Sequence, residues 1–170
     1  NFTVGEPDFS TSAHICEAAK AALDEGFTKY TPVSGTSDLK SAIQTKVKRD
    51  NNIDINSNQV LVSNGGKQSL YLACQALFEK GDEVLIFSPY WVSYPEMVRL
   101  SDAEPIIVST NTENQYEPDF ESLENKITPN VKGIIVNSPS NPTGAVWSDN
   151  AVKRVLEIAK LQGWVVFSDE

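Results

Sequence analysis

Long apolar runs are missing from this 170-residue chain. None approaches the ~18 residues that a membrane-spanning helix needs, and no signal-peptide pattern is present, so neither membrane nor export is expected and a cytoplasmic compartment is. Cysteine is scarce. Cys16 and Cys74 show neither a disulfide framework nor metal-ligand spacing, and both read as free core thiols within helical patterns. The lone histidine, His14, sits in a helical pattern beside Ile15 and reads as structural, so no metal site is expected. Positive charge is also short: 14 basic against 23 acidic residues give a formal net charge of −9. Such a chain has no general attraction for nucleic acid or anionic membrane, and any anionic ligand must be held by local groups. The GxGxxG and Walker spacings are absent, which argues against a plain nucleotide-binding module. No initiator methionine opens the chain, and Ser168-Asp-Glu170 closes it directly behind an apolar run, so part of a longer chain is expected.

What is present is ordinary for a globular protein: 40% hydrophobic and 22% charged residues, enough for one domain with a core. Residues 1–11 read as an extended arm. A helix over 12–25 follows, with Ser12 as candidate cap and Gly26 as stop, then a loop, Lys29-Tyr-Thr-Pro-Val-Ser-Gly35. A second helix opens at Thr36 and Ser37, with Leu39, Ile43 and Val47 at a spacing of four, and ends at Asp50-Asn-Asn52. From Gln59 the pattern alternates. Strands are expected at 60–63, 84–87, 105–108, 133–136 and 164–167, and helices at 65–78, 91–100, 120–125 and 150–161. Strands that are apolar on both faces are covered on both sides, so the class is α/β with a mostly parallel sheet. Residues 1–50 are expected to lead into a sheet domain that begins near 51.

Chemistry can reside in several of the connecting segments. Ser63-Asn-Gly-Gly-Lys-Gln-Ser69 joins a strand to a helix: Gly65 and Gly66 let an anion approach first-turn N–H groups, and Lys67 adds charge. An ordinary βα turn is the plainer account. Tyr90, Trp91 and Tyr94 follow the next strand, where Trp91 can stack on an aromatic ring or simply pack the helix. Asn141 lies between Pro139 and Pro142, which stiffen its loop; a turn asparagine is the alternative. Asp169 ends an apolar strand, and a carboxylate there would keep a ring nitrogen protonated or else cap a following helix. Tyr30 can offer a hydroxyl to phosphate, and Gly5 a backbone group to a substrate carboxylate; a packed aromatic and a turn glycine are the bland accounts.

In order and spacing, Gly5-Glu-Pro-Asp-Phe9, Lys29-Tyr-Thr-Pro32, Asn64-Gly-Gly-Lys-Gln68, Pro89-Tyr-Trp91, Asn137-Ser-Pro-Ser-Asn-Pro-Thr-Gly144 and Ser168-Asp-Glu170 resemble the successive motifs of class I aminotransferases. The bacterial and archaeal aspartate aminotransferase subgroup is the nearest likeness, over about the first half of a family member. The resemblance implies the fold-type I large domain, a three-layer α/β/α arrangement that is incomplete here, and the cofactor pyridoxal 5'-phosphate (PLP). It implies that Gly65, Gly66 and Lys67 hold the phosphate, Trp91 stacks on the ring, Asn141 bonds the phenolic oxygen and Asp169 pairs with the ring nitrogen. Tyr30 would reach the phosphate in a partner subunit, which implies a homodimer with shared sites. Gly5, Trp91 and Asn141 would face the substrate. The implied reaction is transamination between an L-amino acid, aspartate or a related or aromatic one, and a 2-oxo acid. The lysine that carries the cofactor lies further downstream in that family, so the 170 residues alone are expected to be inactive. A C–S β-lyase, an aminocyclopropane carboxylate synthase-like activity and a non-catalytic domain of the same fold share these residues.

Overall fold

The computed structural model describes residues 5–170. The first four residues of the expected arm lie outside the described residues. The chain divides into two compact units, residues 1–62 and 63–170.

The first unit holds helices α1 (Ala13–Asp24) and α2 (Ser37–Asn51) and a short 3₁₀ turn, Ser57–Gln59. Thr36 caps α2, its hydroxyl accepting from the Leu39 N–H, and Asn52 closes it in the left-handed region at φ 55°. Ser12 occupies the cap position of α1 but makes no side-chain bond. Its backbone carbonyl accepts instead from the N–H groups of Ile15 and Cys16, at 3.0 and 3.2 Å. Cys16 is partly exposed and is not the core thiol expected, because α1 buries none of its residues fully. His14 is exposed on the same helix. The strand expected at 60–63 does not form. Val60 closes the 3₁₀ turn, Val62 donates its N–H to the Ser34 carbonyl, and Leu61 is 60% exposed. An apolar run becomes a strand only when a neighbour completes its hydrogen-bond ladder, and none does so among the described residues.

The second unit contains α3 (Gly66–Leu77), β1 (Glu83–Ser88), α4 (Ser93–Arg99), β2 (Glu104–Ser109), α5 (Phe120–Glu124), β3 (Val131–Asn137), α6 (Asp149–Gln162) and β4 (Val165–Asp169). Its four strands are all parallel in the order β2-β1-β3-β4. Alternate residues feed two cores. Leu85, Phe87, Ile134 and Val136 pack with Leu123, Ala151, Val155 and Ala159 of α5 and α6. Ile86 and Ile135 pack on the other face with Cys74 and Phe78 of the α3 segment and with Tyr94, Met97 and Val98 of α4. The result is the expected three-layer α/β/α arrangement. Each fully buried Leu, Ile or Val in these cores contributes about 1.5–3 kcal/mol.

Helix α6 illustrates how the sequence sets one layer. Ser148 caps it by accepting from the Ala151 N–H, Asp149 lies in its first turn, and Lys160 in its last turn complements the dipole. Ala151, Val155 and Ala159, spaced four apart, form its buried stripe. Gly163 ends it at φ 73°, a conformation that glycine adopts without a Cβ penalty. No helix among the described residues is long and apolar enough to cross a membrane.

Candidate functional site

Strand order places the site. The chain runs from β1 outward to β2, then returns to the other side of β1 for β3 and continues to β4. The direction of winding reverses between β1 and β3, and in open parallel sheets ligands bind outside the carboxyl ends of the strands at such a reversal. The segments leaving those ends carry most of the residues singled out above. Ser88 ends β1 and leads to Trp91, while Asn137 ends β3 and leads to Asn141. Asp169 ends β4 directly opposite Asn137 in the strand register. A small cavity of about 20 Å³, lined by Ser88, Tyr94, Thr110, Asn137 and Ser140 among others, lies at this junction. That is room for a single water.

A continuous set of contacts links these side chains. The Lys67 ammonium sits 4.9 Å from the centre of the Trp91 ring. Trp91 meets Tyr94 edge-on, with centroids 5.4 Å apart and planes at 87°. The Tyr94 hydroxyl donates to Oδ2 of Asp169, across 75 residues of sequence. The Asn137 amide donates to the Asp169 carbonyl at 2.8 Å and to the Pro139 carbonyl at 3.2 Å, and its oxygen accepts the Asn141 N–H at 2.7 Å. Thus Lys67, Trp91, Asn141 and Asp169 are brought together. Burial, then the hydrogen bond to Asp169 and that residue's charge, push the Tyr94 phenol far above its ordinary range, so it remains a neutral donor.

The donor set fits a flat phosphorylated heterocycle. At the start of α3 the N–H groups of Gln68 and Ser69 bond the Gly65 carbonyl, and the Asn64 N–H bonds Oε1 of Gln68. The first-turn N–H groups of Gly66 and Lys67 keep no acceptor among the described residues. Gly65 is at φ +84°, and a Cβ at Gly65 or Gly66 would meet nothing within 4 Å, so an anion has open access to those donors. The Asn141 side-chain amide and Oδ1 of Asp169 likewise make no hydrogen bond among the described residues. An anion cradle, an aromatic plane, a free amide and a carboxylate with one open oxygen are what PLP requires of its protein.

Gly5 and Tyr30 belong to the other unit. Gly5 is exposed, and the Tyr30 ring is fully exposed on the loop between α1 and α2. No group of three or more potential metal ligands occurs among the described residues. Two participants escaped the sequence reading. Tyr94 packs its helix against the sheet, the plainer of its two accounts, and is in addition a buried donor; Asn137, expected just beyond a strand, ends that strand and ties two site segments together. The only sequence signal for either was a polar group at a strand's carboxyl end or one helical turn beyond Trp91.

The sequence matches the family described as aminotransferase class I and II over residues 1–170. A probable aspartate/prephenate aminotransferase of Rickettsia bellii is 48% identical over 167 residues, covering 98% of this chain and 42% of that protein. An aspartate/prephenate aminotransferase of Thermus thermophilus is 43% identical over 168 residues, covering 99% and 44%. The solved structure of Thermus thermophilus aspartate aminotransferase with maleate superposes with a TM-score of 0.95 at 43% identity, covering 99% of this chain and 44% of that one. The chain therefore spans less than half the length of these relatives.

Proposed function

This chain belongs to the class I and II aminotransferases, and from that premise we propose that the full-length protein carries out PLP-dependent transamination between an L-amino acid and a 2-oxo acid. Aspartate is the proposed donor. Several relatives are named for aspartate and prephenate together, which makes prephenate, itself a 2-oxo acid, the acceptor to try first.

The observation that carries this reading is the Asp169 carboxylate at the end of β4, with Oδ2 taken by Tyr94 and Oδ1 open. When bound, PLP supplies a ring that withdraws electrons from the amino acid's α-carbon, most strongly with its nitrogen protonated. Asp169 would hold that proton at the ring nitrogen, because a nearby negative charge favours the charged form. The N–H groups of Gly66 and Lys67 would bind the phosphate, supported by the α3 dipole. Trp91 would cover one face of the ring, and the Asn141 amide would donate to its phenolic oxygen. Lys67 already lies against Trp91, so its charge would serve either the phosphate or an acidic substrate from there.

Gly5 is assigned to the substrate carboxylate and Tyr30 to the phosphate of a second subunit's cofactor. The full exposure of the Tyr30 ring supports the second assignment and, with it, a homodimer with shared sites. The lysine that holds the cofactor would come from sequence beyond these 170 residues. Two unpaired thiols support a cytoplasmic compartment as part of the same proposal.

The test is turnover of the full-length protein with PLP, aspartate and a panel of 2-oxo acids, followed by Asp169→Ala. The wild type should produce the 2-oxo acid of aspartate, and the variant should lose on the order of a hundredfold or more in kcat. Near-normal turnover in the variant would reduce Asp169 to a structural role.

A further inference from the structure

Tyr94 has no place in the assignments above, yet it touches two of their residues. Its side chain is 2% exposed, so its hydroxyl must find its partner inside the protein. That partner is Oδ2 of Asp169. The ring of the same residue stands edge-on against Trp91, 5.4 Å between centroids. One rigid side chain, delivered by the first turn of α4, thus lies between the aromatic plane and the carboxylate.

We propose that Tyr94 is a positioning residue of the cofactor site: it fixes the rotation of the Asp169 carboxylate so that Oδ1 faces the ring nitrogen, and it fixes the distance of that oxygen from the Trp91 plane. The inference rests on the reading that Asp169 pairs with the ring nitrogen. A carboxylate that turns about the Cα–Cβ and Cβ–Cγ bonds otherwise samples several orientations, and its main-chain tether, the Asn137 amide on the Asp169 carbonyl, does nothing to orient the side chain. The phenol removes that freedom before the cofactor arrives, and preorganisation of this kind appears directly in affinity. Tyr94 needs no chemistry of its own for this, since it remains a neutral donor.

The experiment uses the full-length apoprotein, titrated with PLP and with its carbocyclic analogue in which a CH replaces the ring nitrogen. The proteins are wild type, Tyr94→Phe and Asp169→Asn, and binding is followed by quenching of tryptophan fluorescence. Tyr94→Phe keeps the packed ring and removes only the donor. It should weaken PLP about tenfold, in the range expected for one hydrogen bond to a charged group, and leave the affinity for the analogue unchanged. Equal weakening of both ligands would make Tyr94 a packing residue and overturn the proposal. Unchanged PLP affinity in Tyr94→Phe, with weakened affinity in Asp169→Asn, would also overturn it while leaving the Asp169 reading intact. Unchanged PLP affinity in Asp169→Asn would instead remove the reading on which it rests. A second measurement does not depend on Tyr94→Phe folding. Spectrophotometric titration of the apoproteins should show one tyrosine ionising at lower pH in Asp169→Asn than in wild type, and identical curves would mean that the phenol is not held by Asp169.

Discussion

Replacing Asn137 by Leu tests whether the carboxyl ends of β3 and β4 are joined as a unit. Leucine has the same branching and number of side-chain heavy atoms, so the change removes polar contacts without opening a cavity. Three hydrogen bonds are lost: the amide to the Asp169 carbonyl at 2.8 Å, the amide to the Pro139 carbonyl at 3.2 Å, and the Asn141 N–H to the Asn137 oxygen at 2.7 Å. The first is partly buried and belongs at the upper end of the usual range. The other two are exposed, so water replaces them at little cost. With about 0.5–1.5 kcal/mol per bond, the sum is about 2 kcal/mol. Urea unfolding of the full-length apoprotein should show that loss as a lower midpoint at unchanged slope. Hydrogen exchange in a peptide spanning residues 138–145 should accelerate, because the Asn141 N–H loses its acceptor. The PLP affinity should also fall, by up to about thirtyfold if the whole 2 kcal/mol is felt at the cofactor.

Asn137→Asp sharpens the test. It keeps the acceptor for Asn141 but turns both amide contacts into oxygen facing oxygen, so it should destabilise more than Leu does. An unchanged unfolding midpoint and unchanged exchange in Asn137→Leu would refute the idea that this side chain ties the two strand ends. Better tolerance of Asp than of Leu would show that the bonds to the two carbonyls contribute little.

Gly133→Ala should cost about 1–3 kcal/mol of unfolding free energy, because the new Cβ would lie 2.5 Å from the buried Phe78 ring, which is itself held edge-on by Phe167. Adding Phe78→Leu should recover part of that loss in the same urea titration, and a neutral Gly133→Ala would mean the ring has somewhere to go. Hydrogen bonds from Ser148 lower the Glu117 carboxyl below its ordinary range. Its contribution to stability is therefore present above the unfolded carboxylate range and lost as pH falls through the lower, folded value. Glu117→Gln should lower stability at neutral pH and flatten the acid side of the stability–pH curve, the two proteins converging at low pH, whereas superposable acid limbs would contradict the linkage.

How much of this was legible beforehand depended on whether a feature is local. The apolar runs at Val84, Ile106 and Ile134 declared strands because both faces of each are buried, and the structure extends them by only one or two residues at each end. Ser148, Gly163 and the stripe of Ala151, Val155 and Ala159 wrote α6 into a short window. Val60-Leu-Val-Ser63 has the same apolar content and failed as a strand, since a strand is a property of two segments and sequence displays only one. The site divides in the same way. Gly65, Gly66, Asn141 and Asp169 stood out as candidates because each sits in a turn or at a strand end whose local chemistry is distinctive. The hydrogen bonds of Tyr94 and Asn137 were not legible because they depend on whom these side chains meet. The phenol reaches Asp169 only after α4 has packed on the sheet, and the Asn137 amide finds the Asp169 carbonyl only through the β3–β4 register. Both contacts follow from the order β1-β3-β4, which brings three separate strand ends side by side. It follows that contacts made across strand ends escape a sequence reading, whereas the turns and strand ends that carry the candidate groups do not.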